Sequence, residues 1–224
     1  MSEVSRALTE GEQDAATEAA GKFITLEGGE GAGKSTQAKR LRDRLEAHGH
    51  GVVLTREPGG SPRAEQIREL LLSGKIEQLG ALAEATLFYA ARHSHLEITI
   101  RPALKAGKWV VCDRFSDSTR AYQGAGGEVP LSVLEALERT IVWPTRPDLT
   151  LILDLPVDLA MERLAGTELD RYEKMPLAFH QNLRSEFLNI ARCEPWRCVV
   201  VDASADPDTV ETAIWKVVQE RLRP

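Results

Sequence analysis

One string limits what this chain can fold into more than any other. Gly28-Gly29-Glu30-Gly31-Ala32-Gly33-Lys34-Ser35 stands after the apolar run Phe23 to Leu26 and before Thr36, which opens a helical stretch to Ala47. It satisfies G-x-x-x-x-G-K-[ST] between a strand and a helix, the setting in which that pattern forms a P-loop. Glycines there let successive backbone N–H groups turn inward around phosphates, and the following helix adds the positive end of its dipole. Gly28 to Thr36 is thus the expected ATP-binding segment. Lys34 is expected to reach the β and γ phosphates, and the Ser35 hydroxyl to ligate Mg²⁺.

The rest of the chain fits that start. Five short apolar runs recur, Phe23 to Leu26, Val52 to Leu54, Trp109 to Cys112, Leu149 to Leu153 and Cys198 to Val201, each with the look of a buried strand. Helical spacing separates them, as in Leu131, Leu134, Leu137 and Ile141, or Phe179, Leu183, Phe187 and Ile190, each set read as one buried stripe. Such alternation predicts a three-layer α/β sandwich around a five-stranded parallel sheet, of P-loop NTPase type. The 224 residues suit a single domain, read as 21–224, preceded by a loose acidic tail over 1–20. A net charge of −6 argues against a protein that coats nucleic acid, and no apolar stretch is long enough to span a membrane. Three cysteines, Cys112, Cys193 and Cys198, match neither a disulfide framework nor a zinc pattern, which suits a reducing, cytoplasmic setting.

A P-loop by itself leaves GTPases, motors, transporters and small-molecule kinases open. No N-K-x-D guanine reader and no L-S-G-G-Q transporter signature is present. The choice falls to the other loops, which in a parallel sheet gather at the carboxyl ends of the strands. Asp113 ends the third apolar run where P-loop proteins place a carboxylate for the metal. It is preferred to Asp154 because Arg114 beside it offers a planar donor fork for a phosphate. Arg56 ends the second run before a rigid Pro-Gly-Gly turn, and two arginines can clamp one phosphate. Phe88 and Arg92 lie four residues apart on a helical stretch, able to stack on and hydrogen-bond one flat base. Ser118, Tyr122 and Gln123 place hydrogen-bonding groups along one helix face. The five histidines, His48, His50, His93, His95 and His180, read as surface or pocket-edge residues.

Taken in order, the P-loop with Glu30, TREPGG at Thr55 to Gly60, FYAAR at Phe88 to Arg92, DRFSDSTRAYQG at Asp113 to Gly124 and LDRYE at Leu169 to Glu173 resemble bacterial thymidylate kinases, from about Lys22 to about Asp202. The resemblance implies transfer of the ATP γ-phosphoryl group to dTMP, giving dTDP, in a cytoplasmic homodimer. It implies that Phe88 stacks on thymine, that Arg92 addresses a thymine carbonyl, and that Ser118 and Gln123 complete the base pocket. By the same resemblance Tyr122 crowds the 2′ position, Arg56 and Arg114 hold the acceptor phosphate, and Glu30 contacts the sugar 3′-hydroxyl. Gly31 stands where one branch of the family carries a P-loop arginine, so positive charge is expected from a lid around 163–173. Leu164, Ala165 and Gly166 occupy lid positions where relatives carry arginines, leaving Arg163 and Arg171 as the catalytic lid candidates beside Lys34, Arg114 and Glu30.

Overall fold

The strand β1 (Phe23–Glu27) is buried at every residue, as a central strand covered on both faces must be. A computed structural model describes residues 21–124, 129–166 and 171–224. The expected acidic tail and lid residues 167–170 lie outside the described residues. Four further strands, β2 (Val52–Arg56), β3 (Trp109–Asp113), β4 (Leu149–Asp154) and β5 (Cys198–Asp202), join β1 in one parallel sheet of order β2-β3-β1-β4-β5. Each strand runs past its apolar run into a polar residue. The ladder is made by the backbone, so a polar side chain at the carboxyl edge leaves the pairing intact.

Two corrections concern burial. The edge strands β2 and β5 are only partly buried, and Val200 is largely exposed, because each has a neighbour on one side alone. His95 lies in the interior, at 0% exposure, instead of at the surface or a pocket edge, whereas His180, at 5%, lines a small cavity with Gly28, Gly29 and Asp154.

The helices are α1 (Lys34–Ala47), α2 (Pro62–Leu72), α3 (Gly80–His95), α4 (Arg101–Lys105), α5 (Ser116–Thr119), α6 (Leu131–Ile141), α7 (Val157–Leu164), α8 (Leu177–Cys193) and α9 (Pro207–Leu222). Strand alternation decides which helix covers which face. Ile24, Leu26, Leu149, Leu151 and Leu153 point toward α1 and α9, packing on Leu41, Leu45, Ile214 and Trp215. Phe23, Val110 and Cys112 point the other way, against Tyr89 of α3 and Leu134 of α6, while Ile152 meets Leu183 and Phe187 of α8. Each such fully buried aliphatic side chain contributes roughly 1.5–3 kcal/mol. In α6 the expected stripe is buried at Leu134, whereas Leu131 in the first turn is exposed.

Two π-helical turns interrupt the helical regularity, Leu96–Ile100 between α3 and α4, and Arg120–Gly124 directly after α5. The second carries Tyr122 and Gln123. Such wide turns are frequent where side chains must be re-aimed at a site.

Candidate active site

β1 and β3 lie side by side with Leu26 opposite Asp113, so the Gly-rich loop after β1 faces the Asp113-Arg114 pair after β3. Gly28, at φ +134°, passes so close to β4 that a Cβ would sit 2.4 Å from the Leu153 carbonyl oxygen. No larger residue fits there. Lys34 opens α1 and donates to the Gly29 carbonyl at 2.6 Å. Burial, and then the charge of Arg114, bring its ammonium down to about 8. Ser35 Oγ donates to Asp113 Oδ2. The competing carboxylate, Asp154, is instead held by Arg184 through two hydrogen bonds of 2.7 and 2.9 Å.

Arg114 is held in the left-handed region, at φ +67°, with its amide donating to the Leu26 carbonyl at 2.9 Å. Its side chain donates to the Gly28 carbonyl at 3.1 Å and to Ser118 Oγ at 3.2 Å, and pairs with Glu30 at 2.7 Å. Tyr122 donates its hydroxyl to the other Glu30 oxygen at 2.5 Å. Burial would push the Glu30 carboxyl up, but the charges of Arg114 and Lys34 outweigh it and hold it at about 2. Glu30 is therefore ionised throughout the neutral range.

Arg92 is the largest of the fully buried side chains, at 1% exposure. Its Nε donates to Glu57 at 2.8 Å and its Nη2 to Thr119 at 3.0 Å, and the guanidinium lies over the rings of Tyr89 and Phe115. Glu57 in turn accepts from His95 Nδ1 at 2.9 Å, and His95 Nε2 meets Thr55 Oγ1 at 2.7 Å. Arg92 Nη1 is buried and has no hydrogen-bond partner among the described residues. Leaving a buried donor unmatched costs about 1–3 kcal/mol, so this atom marks a place for an acceptor.

Two cavities meet at this point. One, of about 120 Å³, brings together Phe88, Arg92, Ser118, Tyr122 and Gln123 with Glu30 and Arg114. The other, of about 410 Å³, is lined by Gly31, Gly33, Lys34, Ser35, Thr36, Asp113, Arg56 and Arg163, and it shares Glu30, Glu57, Arg68 and Arg114 with the first. A third, of about 400 Å³, lies beyond Thr36 and Arg163 against Ser204 to Pro207.

The arginines expected to carry charge are placed unequally. Arg56 sits at the mouth, its side chain 53% exposed and paired with Glu65 at 3.2 Å. Arg163 donates to the Ser204 carbonyl at 3.2 Å and lies 3.5 Å from that of Gly31, between the second and third cavities. Arg171 pairs with Glu84 on α3 at 2.5 Å and lines neither of the two meeting cavities. Sequence reasoning missed Arg68, the Glu57–His95 pair and Glu27. His95 stands one helical turn after Arg92, a spacing that signals a shared face. Arg68 follows no motif, and only the packing of α2 brings it to the junction.

A glycine-rich loop between a strand and a helix, a hydroxyl and carboxylate beside it, and an adjoining cavity walled by Phe88 and Arg92 place the chain in the P-loop class. The family model described as thymidylate kinase matches residues 26–214. The chain is 56% identical over 203 residues to the thymidylate kinase of Caulobacter vibrioides, covering 90% of this chain and 98% of that one. It is 53% identical over 209 residues to that of Bradyrhizobium diazoefficiens, covering 91% of each. The crystal structure of thymidylate kinase from Ehrlichia chaffeensis superposes with a TM-score of 0.72 at 36% identity, over 89% of this chain and 99% of that one. The chain belongs to the thymidylate kinase family. Its reaction is the ATP-dependent phosphorylation of dTMP to dTDP.

Proposed function

We propose that the two meeting cavities hold the substrates end to end, dTMP in the smaller and the ATP phosphates in the larger, with Arg114 and Glu30 at the point of transfer. The observation that carries this assignment is the unmatched Arg92 Nη1 in the base-sized cavity. A guanidinium only donates, so it selects a base edge that offers a carbonyl oxygen. Phe88 supplies the stacking face, Gln123 and Ser118 border the base, and Tyr122, fixed on Glu30, crowds the sugar. Arg56 and Arg114 hold the acceptor phosphate, and Glu30 addresses the 3′-hydroxyl. The third cavity suits the donor base, because it continues from the P-loop past Thr36.

The chemistry follows from the charges. An oxygen of the dTMP phosphate attacks the γ-phosphorus, the bond from that phosphorus to the bridging oxygen of ADP breaks, and ADP leaves with the electron pair. The acceptor is already an anion, so no general base is required, and Glu30, held near 2, is not poised to be one. Main-chain amides and Lys34 steady the donor while Arg114 offsets the repulsion between two anionic reactants. Ser35 and Asp113, hard oxygen donors already in contact, suit Mg²⁺, which usually takes one or two protein ligands and completes its shell with phosphate oxygens and water. When bound, that ion neutralises phosphate charge. Arg163 is the lid arginine nearest the donor cleft, and a lid at 163–173 excludes water that would hydrolyse ATP.

The acidic tail over 1–20 and the single domain over 21–224 form part of the same reading. A homodimer is supported by exposed Leu79 just before α3, Leu82 in its first turn and Leu131 of α6. A cytoplasmic setting is supported by the free thiols of Cys112, Cys193 and Cys198. The test is a coupled ADP-release assay with MgATP and dTMP, dUMP, dCMP or thymidine, run on wild type, Arg114→Ala and Arg163→Ala. A preference for dTMP is expected, with rate losses of about 10²-fold or more for Arg114→Ala. Full turnover by Arg163→Ala would remove it from the catalytic set, and indifference among acceptors would overturn the base-pocket assignment.

A further inference from the structure

Glu27, the last residue of β1, is a carboxylate at 0% exposure that the reaction as derived above does not use. One oxygen accepts the Phe115 amide at 2.7 Å and the other accepts the Ser118 hydroxyl at 2.6 Å. Both partners belong to the segment that carries Arg114. We infer that Glu27 is a positioning residue for the acceptor phosphate, acting through Ser118 and the Phe115 amide to keep the Arg114 guanidinium at the junction of the two cavities. The inference rests on the assignment of Arg114 to that phosphate.

The direction of the hydrogen bonds carries the argument. Ser118 has one proton and gives it to Glu27, so its lone pairs face Arg114, which donates to it at 3.2 Å. An ionised carboxylate accepts only, and it then forces this order along the chain Arg114 to Ser118 to Glu27; burial, and then the charge of Asp117, push the Glu27 carboxyl up to about 7, so the order holds above that pH. Arg114 adopts a left-handed backbone that residues with a Cβ rarely take, and such a conformation persists only when neighbouring bonds enforce it. The Phe115 amide on Glu27 and the Arg114 amide on Leu26 are those bonds, one on each side of the turn. Glu30 pairs with Arg114 Nη2 at 2.7 Å while Nη1 donates to Ser118, so one guanidinium is set between a largely buried carboxylate and an oriented hydroxyl. An apolar side chain would fill the Glu27 position without the cost of burying a carboxyl group, but it would leave the Phe115 amide and the Ser118 hydroxyl without that acceptor. Ser118, assigned by resemblance to the base pocket, on this view serves the phosphate end as well.

Glu27→Gln keeps the shape and reverses one bond. With its carbonyl on the Phe115 amide, the new amide nitrogen points a donor at Ser118, and the hydroxyl can no longer present itself to Arg114 in the same way. Steady-state kinetics on Glu27→Gln, Ser118→Ala, the double variant and Arg114→Ala test this. The KM for dTMP is expected to rise about tenfold in Glu27→Gln, the scale of one hydrogen bond to a charged group, with the KM for ATP within about twofold of wild type. Ser118→Ala is expected to shift the dTMP KM the same way by about threefold, and the double variant to be no worse than Glu27→Gln. Equal changes in both KM values, or none, beside a raised dTMP KM in Arg114→Ala would overturn the inference while leaving the assignment of Arg114 intact. An unchanged dTMP KM in Arg114→Ala would overturn the assignment itself, and the inference with it. Should Glu27→Gln fail to fold, Glu27→Asp decides, since it keeps a carboxyl group but draws it back from Ser118 and the Phe115 amide: a raised dTMP KM with the KM for ATP unchanged supports the inference, and no change overturns it.

Discussion

The proposed donor and acceptor halves of the site are built on opposite plans. The donor half is chiefly one continuous stretch, Gly28 to Thr36, a glycine-rich loop and a helix start, joined by Asp113 and Arg163 from elsewhere. The acceptor half draws Arg56 from β2, Arg68 from α2, Phe88 and Arg92 from α3, Arg114 from the end of β3, and Tyr122 and Gln123 from a π turn. Amides need only the right backbone, so a short glycine pattern suffices for them. Side chains reaching in from separate elements need partners to hold them: Glu65 pairs with Arg56, Glu57 with Arg92 and Glu30 with Arg114, while Arg68 donates to the Pro58 carbonyl at 2.8 Å. A nest for phosphate is thus local in sequence, whereas a pocket that reads a base is a property of the whole fold.

That contrast can be broken by substitution. Lys34→Ala takes the ammonium from the donor half and is expected to lower kcat by about 10² to 10³, with dTMP binding by calorimetry retained. A comparable loss of dTMP affinity would show that the two halves are not separable. Arg92→Met is expected to raise the dTMP KM by about 10- to 100-fold while leaving the KM for ATP unchanged. It should also cost about 3–5 kcal/mol of stability in denaturant titrations, because Glu57 is left buried with a broken ion pair. An unchanged dTMP KM in a folded variant would separate Arg92 from base reading. The smallest effect is one of pH. Lys34 titrates near 8 in the free protein, so kcat/KM for ATP should be level below that pH and fall about tenfold per unit above it as the ammonium deprotonates. Glu30, held near 2, adds no acid limb in the neutral range. A profile flat to pH 10 would mean that the donor half does not depend on the Lys34 charge.

The legibility of the site follows the same division. The five strands, the P-loop and the Asp113-Arg114 pair could all be read from residue order, because they are short-range patterns of hydrophobicity and glycine placement. Phe88 and Arg92 could be paired from helical spacing, yet nothing in that spacing shows that Arg92 is anchored by Glu57, or Glu57 by His95. His95 therefore read as a surface or pocket-edge residue. Arg171 matched a motif but lies on Glu84, while Arg68, outside any motif, reaches both cavities. The buried network of Arg197 with Asp117, Glu194 and Thr150 under α5 joins residues up to 80 positions apart and leaves no local trace.

Alone, residue order determined the alternation of strand and helix, the loop that cradles phosphate and the chemical types available at each strand end, since backbone conformation responds to neighbours within a few positions. Only the packed sheet, with β1 set between β3 and β4, decided which arginine meets which carboxylate and which guanidinium nitrogen is left for a ligand. Those outcomes depend on distances and desolvation between segments far apart in the chain, and a charge gains its partner only when folding brings both into the same dry space.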